Sequence, residues 1–416
     1  MKLSTALSFF ILLFIANAVV FFKRDEFLFT KQVSYADLYP KIVADPIKEI
    51  KKINDSTLQF ELINPVAGNV TWFLKEGDQT DSFKAVHPEI KAGIGLRSYM
   101  LSSPFYKDSI LARIEYVPAV ASKNQSPGLF LYRMNASSKT FADVLDQKYI
   151  NDYLSISPEQ RSDLLKIIAD SVGINAGMGT VEKVKKICRY MGKKIRGTGN
   201  KVDDSVLALN PFKQFEAACT NKVVDCGVYV RIFDLFASAA GVKSRMVEMR
   251  SKPKNVAGSV HEFNEYFIPE TSEWAAADLT FKIAASYNAS GKLLNAVELK
   301  NNAPNDSSVI MLLAGSDSLT QKSFAEMGDV FFDLYGREKD LYFYETTADR
   351  YNGNAVKRIK NFILPVHWYT IYSDTHIIDN RNYYIKALLL LLLLASIMYL
   401  GFSLLLRKNY KKYDRI

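Results

Sequence analysis

Residues 223–247 read VVDCGVYVRIFDLFASAAGVKSRMV, and this stretch decides the fold. Val228, Tyr229, Ile232, Phe233, Leu235, Phe236 and Ala239 recur at helical spacing, which predicts a helix opening at Cys226. Gly241 fits the left-handed position that ends such a helix. Three runs of strand character follow: SRMVEMR from Ser244, VHEFNEYFIP from Val260 and EWAAADLTF from Glu273. In the middle run, alternation places His261, Phe263, Glu265 and Phe267 on one face. Helices followed by an antiparallel sheet make this an α+β unit.

Upstream, SPEQRSDLLKIIADSV carries Ser157 as a helix N-cap, Pro158 at the first helical position and Gln160 as the capping-box partner. A second helix follows Thr180, with Val181, Val184, Ile187, Cys188, Met191 and Ile195 on one face, so Cys188 reads as a core thiol. The intervening GTGNKVDDSVLALNPFKQ reads as loop. The α+β unit is assigned to residues 155–300. Residues 30–150 are rich in short aromatic and β-branched runs broken by Gly, Pro, Asn and Asp, the pattern of an antiparallel sandwich. Residues 301–385 read as an α/β extension or a juxtamembrane stalk. Within them TQKSFAEMGDVFFDLYG has helical character, while KDLYFYETT and HWYTIYSDTH have strand character.

Both ends of the chain are apolar. Residues 387–406 (ALLLLLLLASIMYLGFSLLL) contain no charge and are long enough to cross a hydrocarbon layer of roughly 30 Å. The basic tail at 407–416 assigns the C-terminus to the cytoplasm by the positive-inside rule. Residues 1–22 read either as a signal peptide cleaved after Ala16-Asn17-Ala18 or as a retained anchor. With either one, the central residues lie outside the cytoplasm, in a periplasmic or cell-surface setting, and the lipid bilayer is an expected partner. Nearly half of the net charge of +9 sits in the tail, and no basic stripe interleaved with aromatics points to nucleic acid. Three cysteines form an odd set, which excludes a disulfide framework. No Cys or His cluster has metal-ligand spacing and no calcium-loop pattern occurs, so neither metal nor cofactor is expected.

A thiol at a helix N-terminus feels the positive end of the helix dipole, which favours thiolate and can support an oxyanion. A His on one following strand and an Asp on the next can supply a base and the group that orients it. Cys226, His261 and Asp278 stand in that order. The stretch 181–281 resembles the transglutaminase-like domain, a branch of the papain-like cysteine enzymes. Three features carry the resemblance: ASAAGVKSRMV after the Cys helix, HEFNEYFIP opening on His and an aromatic, and EWAAADLTF with Trp274 ahead of Asp278 and Thr280.

The resemblance implies a papain-like core and makes Cys226 the nucleophile, His261 the general base and acid, and Asp278 the orienting carboxylate. It implies acyl transfer from a protein or peptide amide through a thioester, resolved by water or by an amine. Several domains of this kind serve as binding scaffolds instead, and that alternative stands beside the enzyme. Two positions depart from the family pattern: Asp225 precedes the Cys, where a carboxylate opposes thiolate formation unless it caps the helix, and Gly227 follows it. Asn221 and Gln214 are the candidates for a side-chain oxyanion donor.

Overall fold

A computed structural model of the chain describes residues 3–23, 30–39, 47–118, 128–137, 156–195, 202–251, 260–328 and 380–413, less a few positions within them. It also describes 339–344, 369–372 and isolated residues between. The architecture is mixed helix and antiparallel sheet, and the chain divides into two compact units. One is Met1–Gln32, Thr347–Thr370 and Thr375–Ile416; the other is Val33–Thr346 with Ile371–Asp374.

The first unit is built on the helices Leu3–Phe22 and Arg381–Tyr413. Each is long and apolar enough to cross a membrane, over Ser4–Phe22 and Arg381–Leu405. The two pack together. Ala6, Leu13, Asn17 and Val20 are buried at intervals of three, four or seven, whereas Leu12, Phe14 and Phe22 are exposed. The Asn17 side-chain amide donates to its own helix at the Leu13 carbonyl (2.9 Å) and across the pair to the Leu389 carbonyl (3.1 Å).

The second unit begins with eight strands: β1 (Ile47–Asn54), β2 (Thr57–Leu62), β3 (Val70–Glu76), β4 (Gln79–Ala85), β5 (Glu89–Lys91), β6 (Gly95–Ser102), β7 (Ser109–Val117) and β8 (Gly128–Ser137). They form two antiparallel sheets, in the orders β1-β2-β5 and β4-β3-β6-β7-β8. Leu58, Phe60 and Ile90 from the first sheet share one core with Trp72, Tyr99, Leu101 and Ile114 from the second.

The α+β part follows. Helix α1 (Pro158–Lys166) starts as the capping box requires, with the Ser157 hydroxyl accepting from the Gln160 amide and the Gln160 side chain accepting from the Ser157 amide. A wider turn over Ile167–Val172 ends at Gly173, whose φ of 72° suits glycine. Helix α2 (Thr180–Lys194) buries Val184, Ile187, Cys188 and Met191. Burial pushes the Cys188 thiol far above its usual range, with the Asp278 charge adding to it, so Cys188 stays neutral in the core. Helix α3 (Pro211–Cys219) leads into α4 (Cys226–Ala239), which buries Val228, Val230, Ile232, Phe233, Leu235 and Phe236. Gly241, at φ 73°, follows α4.

Strands β9 (Ser244–Ser251), β10 (Val260–Ile268) and β11 (Glu273–Ala277) run antiparallel in that order, with Val247 opposite Phe263 and Phe267 opposite Trp274. Both faces of this sheet are covered. Tyr266 and Ile268 pack into the helical core, while Val247, Met249 and Phe263 pack into a second core on the other face. Strand β12 (Ile283–Tyr287), helix α5 (Ala296–Asn302), and strands β13 (Ile310–Ala314) and β14 (Leu319–Ser323) build that second side, and β15 (Lys339–Tyr344) pairs with β9.

Three expectations change. Residues 211–214 are not loop: Asn210 caps α3 by accepting from the Lys213 amide, and Pro211 takes the first helical position. The start of TQKSFAEMGDVFFDLYG is not helix: Leu319–Ser323 pairs with β13, and a single tight turn follows over Phe324–Met327. The segment Tyr35–Tyr39 does not belong with the two sheets at 47–137, because Leu38 packs into the second core of the α+β part. The boundary at residue 150 and positions 197–201 of the expected loop lie outside the described residues.

Candidate active site

Cys226 is the first residue of α4 and is partly exposed. Asp225 is the N-cap of that helix, its carboxylate accepting from the Val228 amide at 3.0 Å. The Tyr229 amide returns to the Asp225 carbonyl. The amides of Cys226 and Gly227 have no acceptor within the helix, as the first turn of any helix requires. They sit at the positive end of the helix dipole, beside the sulfur.

His261 stands one residue into β10 and Asp278 one residue past the end of β11. Antiparallel pairing with Asn264 opposite Ala277 brings the start of one strand beside the end of the other. That is why two residues 17 apart meet: His261 Nε2 lies 2.6 Å from Asp278 Oδ2. Asp278 is fixed from its other side as well. Its backbone exchanges hydrogen bonds with Ile283 at 2.8 and 2.7 Å, and its Oδ1 accepts from the amides of Thr280 (2.9 Å) and Phe281 (3.4 Å). Both side chains are almost fully buried, at 2% exposure.

Burial alone would depress the His261 imidazole. It is outweighed by the charge and hydrogen bond of Asp278 and by the hydrogen bond and charge of Cys226, and together these push the imidazole up to about 10. With Nε2 held by Asp278, Nδ1 is the ring nitrogen left for the Cys226 thiol. The sequence-predicted Cys226, His261 and Asp278 are therefore brought together.

Of the two oxyanion candidates, Gln214 has its side-chain amide engaged elsewhere. Gln214 is completely buried in α3, and its Nε2 donates to the Val206 carbonyl at 3.1 Å. Asn221 is exposed in the α3–α4 turn at φ 66°, a left-handed position that Asn tolerates. Gly227 has a packing reason. A Cβ there would sit 2.8 Å from the Glu262 carboxylate, which lies against the first turn of α4.

Sequence reasoning missed Tyr335. Its hydroxyl donates to Asp278 Oδ2 at 2.7 Å from 57 positions downstream. Its ring, with Phe263 and Phe281, surrounds the imidazole at centroid distances of 5.4 to 6.2 Å. Nothing in the stretch FFDLYG marks this tyrosine, because the contact is made by tertiary folding alone.

A partly exposed thiol, next to an imidazole whose far nitrogen is held by a buried carboxylate, is an arrangement that can keep a proton beside a sulfur. Compared with known proteins, the chain matches no protein-family model and no curated protein.

Proposed function

We propose that the chain is a membrane-anchored, transglutaminase-like cysteine enzyme that transfers the acyl group of a protein or peptide amide through a thioester on Cys226. The observation that carries this reading is Cys226 opening a helix and bonded to His261, with Asp278 behind the imidazole. The Asp225 carboxylate, which in sequence favoured a binding scaffold, is engaged in capping α4.

In the proposed reaction the Cys226 thiolate attacks the amide carbonyl carbon. The amides of Cys226 and Gly227 face the developing oxyanion. The C–N bond breaks as His261 gives its proton to the departing nitrogen, leaving an amine and a thioester. Water or a second amine then attacks the thioester and gives a proton to His261. The C–S bond breaks, and the thiolate and the protonated imidazole return. A group raised to about 10 carries its proton at neutral pH, which suits a resting thiolate–imidazolium pair.

The two terminal helices suit an anchor in a bilayer. The Asn17 contact to Leu389 favours a retained first helix over a cleaved leader, since cleavage after Ala18 would remove half of that packed pair. Cys226→Ala is expected to abolish amide turnover by the full-length protein and to leave it folded. Full turnover in that variant contradicts the proposal.

A further inference from the structure

Asp278 has more partners than orienting one imidazole requires. Its Oδ1 is held by two backbone amides. Its Oδ2 accepts both His261 Nε2 at 2.6 Å and the Tyr335 hydroxyl at 2.7 Å. Tyr335 is 1% exposed. Its ring stacks on Phe331 with centroids 4.3 Å apart and meets Phe263 at 5.7 Å and Phe281 at 6.3 Å. A phenol in this aromatic wall, beside a carboxylate, keeps its proton well past its ordinary range, because burial and then the Asp278 charge oppose phenolate. It is therefore a donor across the whole pH range in which a thiolate works.

We infer that Tyr335 is a positioning residue for Cys226: its hydroxyl pins Asp278 Oδ2, and the pinned carboxylate holds His261 with one ring nitrogen toward the thiol. The inference rests on the Cys–His pairing of the proposed function.

The argument is geometric. A carboxylate turns about its last bond unless both oxygens are held. Backbone amides hold Oδ1. Without Tyr335, Oδ2 would be held only by the imidazole that it is meant to orient, and the carboxylate and the imidazole could shift together. The hydroxyl makes Oδ2 a fixed point. It also shares the carboxylate's charge, so it tunes how strongly Asp278 retains the proton on His261.

Tyr335 touches neither the thiol nor any substrate in this account, so its effect must pass through Asp278. That requirement separates positioning from simple packing. Tyr335→Phe removes one oxygen and leaves the aromatic wall. Phe331→Leu weakens the wall and leaves the hydroxyl.

The experiment follows alkylation of Cys226 by iodoacetamide in the full-length protein, peptide by peptide in the mass spectrometer, as a function of pH. The proteins compared are wild type, Tyr335→Phe, Asp278→Asn, the double variant and Phe331→Leu. Tyr335→Phe is expected to label about tenfold more slowly near neutral pH, the loss of one hydrogen bond to a charged group. Its pH midpoint is expected to shift as well. The same change in the Asp278→Asn background is expected to do nothing further. Phe331→Leu is expected to lower the unfolding temperature and keep the wild-type profile.

A Tyr335→Phe profile that superimposes on wild type overturns the inference and leaves the Cys–His pairing standing. Equal losses with and without the Asp278 carboxylate also overturn it, since the effect would not pass through that group. A wild-type Cys226 that labels as an ordinary thiol, indifferent to His261→Ala, removes the parent reading and this one with it.

Discussion

His261 concentrates the electrostatics of this fold in one ring. Its imidazole is almost fully buried yet raised from an ordinary 6.5 to about 10, because the Asp278 carboxylate and the Cys226 thiol outweigh the cost of burying its charge. The folded chain thus holds a proton that the unfolded chain releases. The resulting stability is complete below the unfolded value of about 6.5 and is lost as pH rises through about 10. Thermal melts of wild type and Asp278→Asn should therefore differ most at the acidic end of that window and converge toward its alkaline end; a gap that stays constant across it contradicts the assignment. At this scale the places of Cys226, His261 and Asp278 were legible, because each sits at or next to the end of an element with a clear pattern. The residues that complete the surroundings of His261 were not. Tyr335, stacked on Phe331, reaches it from a stretch read as helical, and Gln214 carried the right side chain on a helix whose packing sends it to Val206.

At the scale of elements, α4 shows why a charged residue stands next to the thiol. Asp225 satisfies the Val228 amide, so its carboxylate does the work of a helix cap. Replacing it with alanine should cost about 1 kcal/mol in chemical denaturation, while asparagine, which caps as well without the charge, should cost little; equal losses for the two would contradict the capping role. Helix α2 shows a different constraint. Gly192 lies inside it, where glycine costs a helix about 1 kcal/mol relative to alanine. The reason is the approach of β13: a Cβ at Gly192 would meet the Ala314 carbonyl at 2.8 Å. Helices α1, α2 and α4 and strands β9 to β11 were readable because their apolar positions keep one period. Strands β1 and β4 were not. β1 is IKEIKKIN, lysine-rich at the end of its sheet, and β4 is QTDSFKA, exposed along most of its length at the end of the other. Edge strands carry polar residues that discourage further pairing, and so they lose the apolar alternation that marks a strand. The turn Asn210-Pro211 was taken for loop, although the same two residue types open helices.

Over the whole molecule, the two apolar helices at the chain ends were visible from hydropathy, and their joining in one unit was not. The place of the segment before β1 was not. The Arg245 guanidinium is buried between the rings of Trp274 (4.2 Å) and Tyr39 (4.9 Å). It pairs with Glu265 at 2.7 Å and donates to the Leu38 carbonyl at 3.0 Å. Glu265 in turn accepts from the Tyr39 hydroxyl at 2.7 Å and the Ala296 amide at 2.5 Å. A buried ion pair is costly unless its members are fully bonded, so residues 38 and 39 complete the α+β part although the two sheets at 47–137 intervene in sequence. Segments far apart in the chain are joined here by side chains, and no local pattern records such a join. The same holds for the site, which draws on α4, β10, the end of β11 and Tyr335. Its central claim is that Cys226 and His261 share a proton. The most direct measurement is the rate of Cys226 alkylation by iodoacetamide against pH in the full-length protein and in His261→Ala. The account predicts fast labelling near neutral pH in the wild type and loss of that reactivity in the variant. Labelling at the same slow rate in both proteins would contradict it.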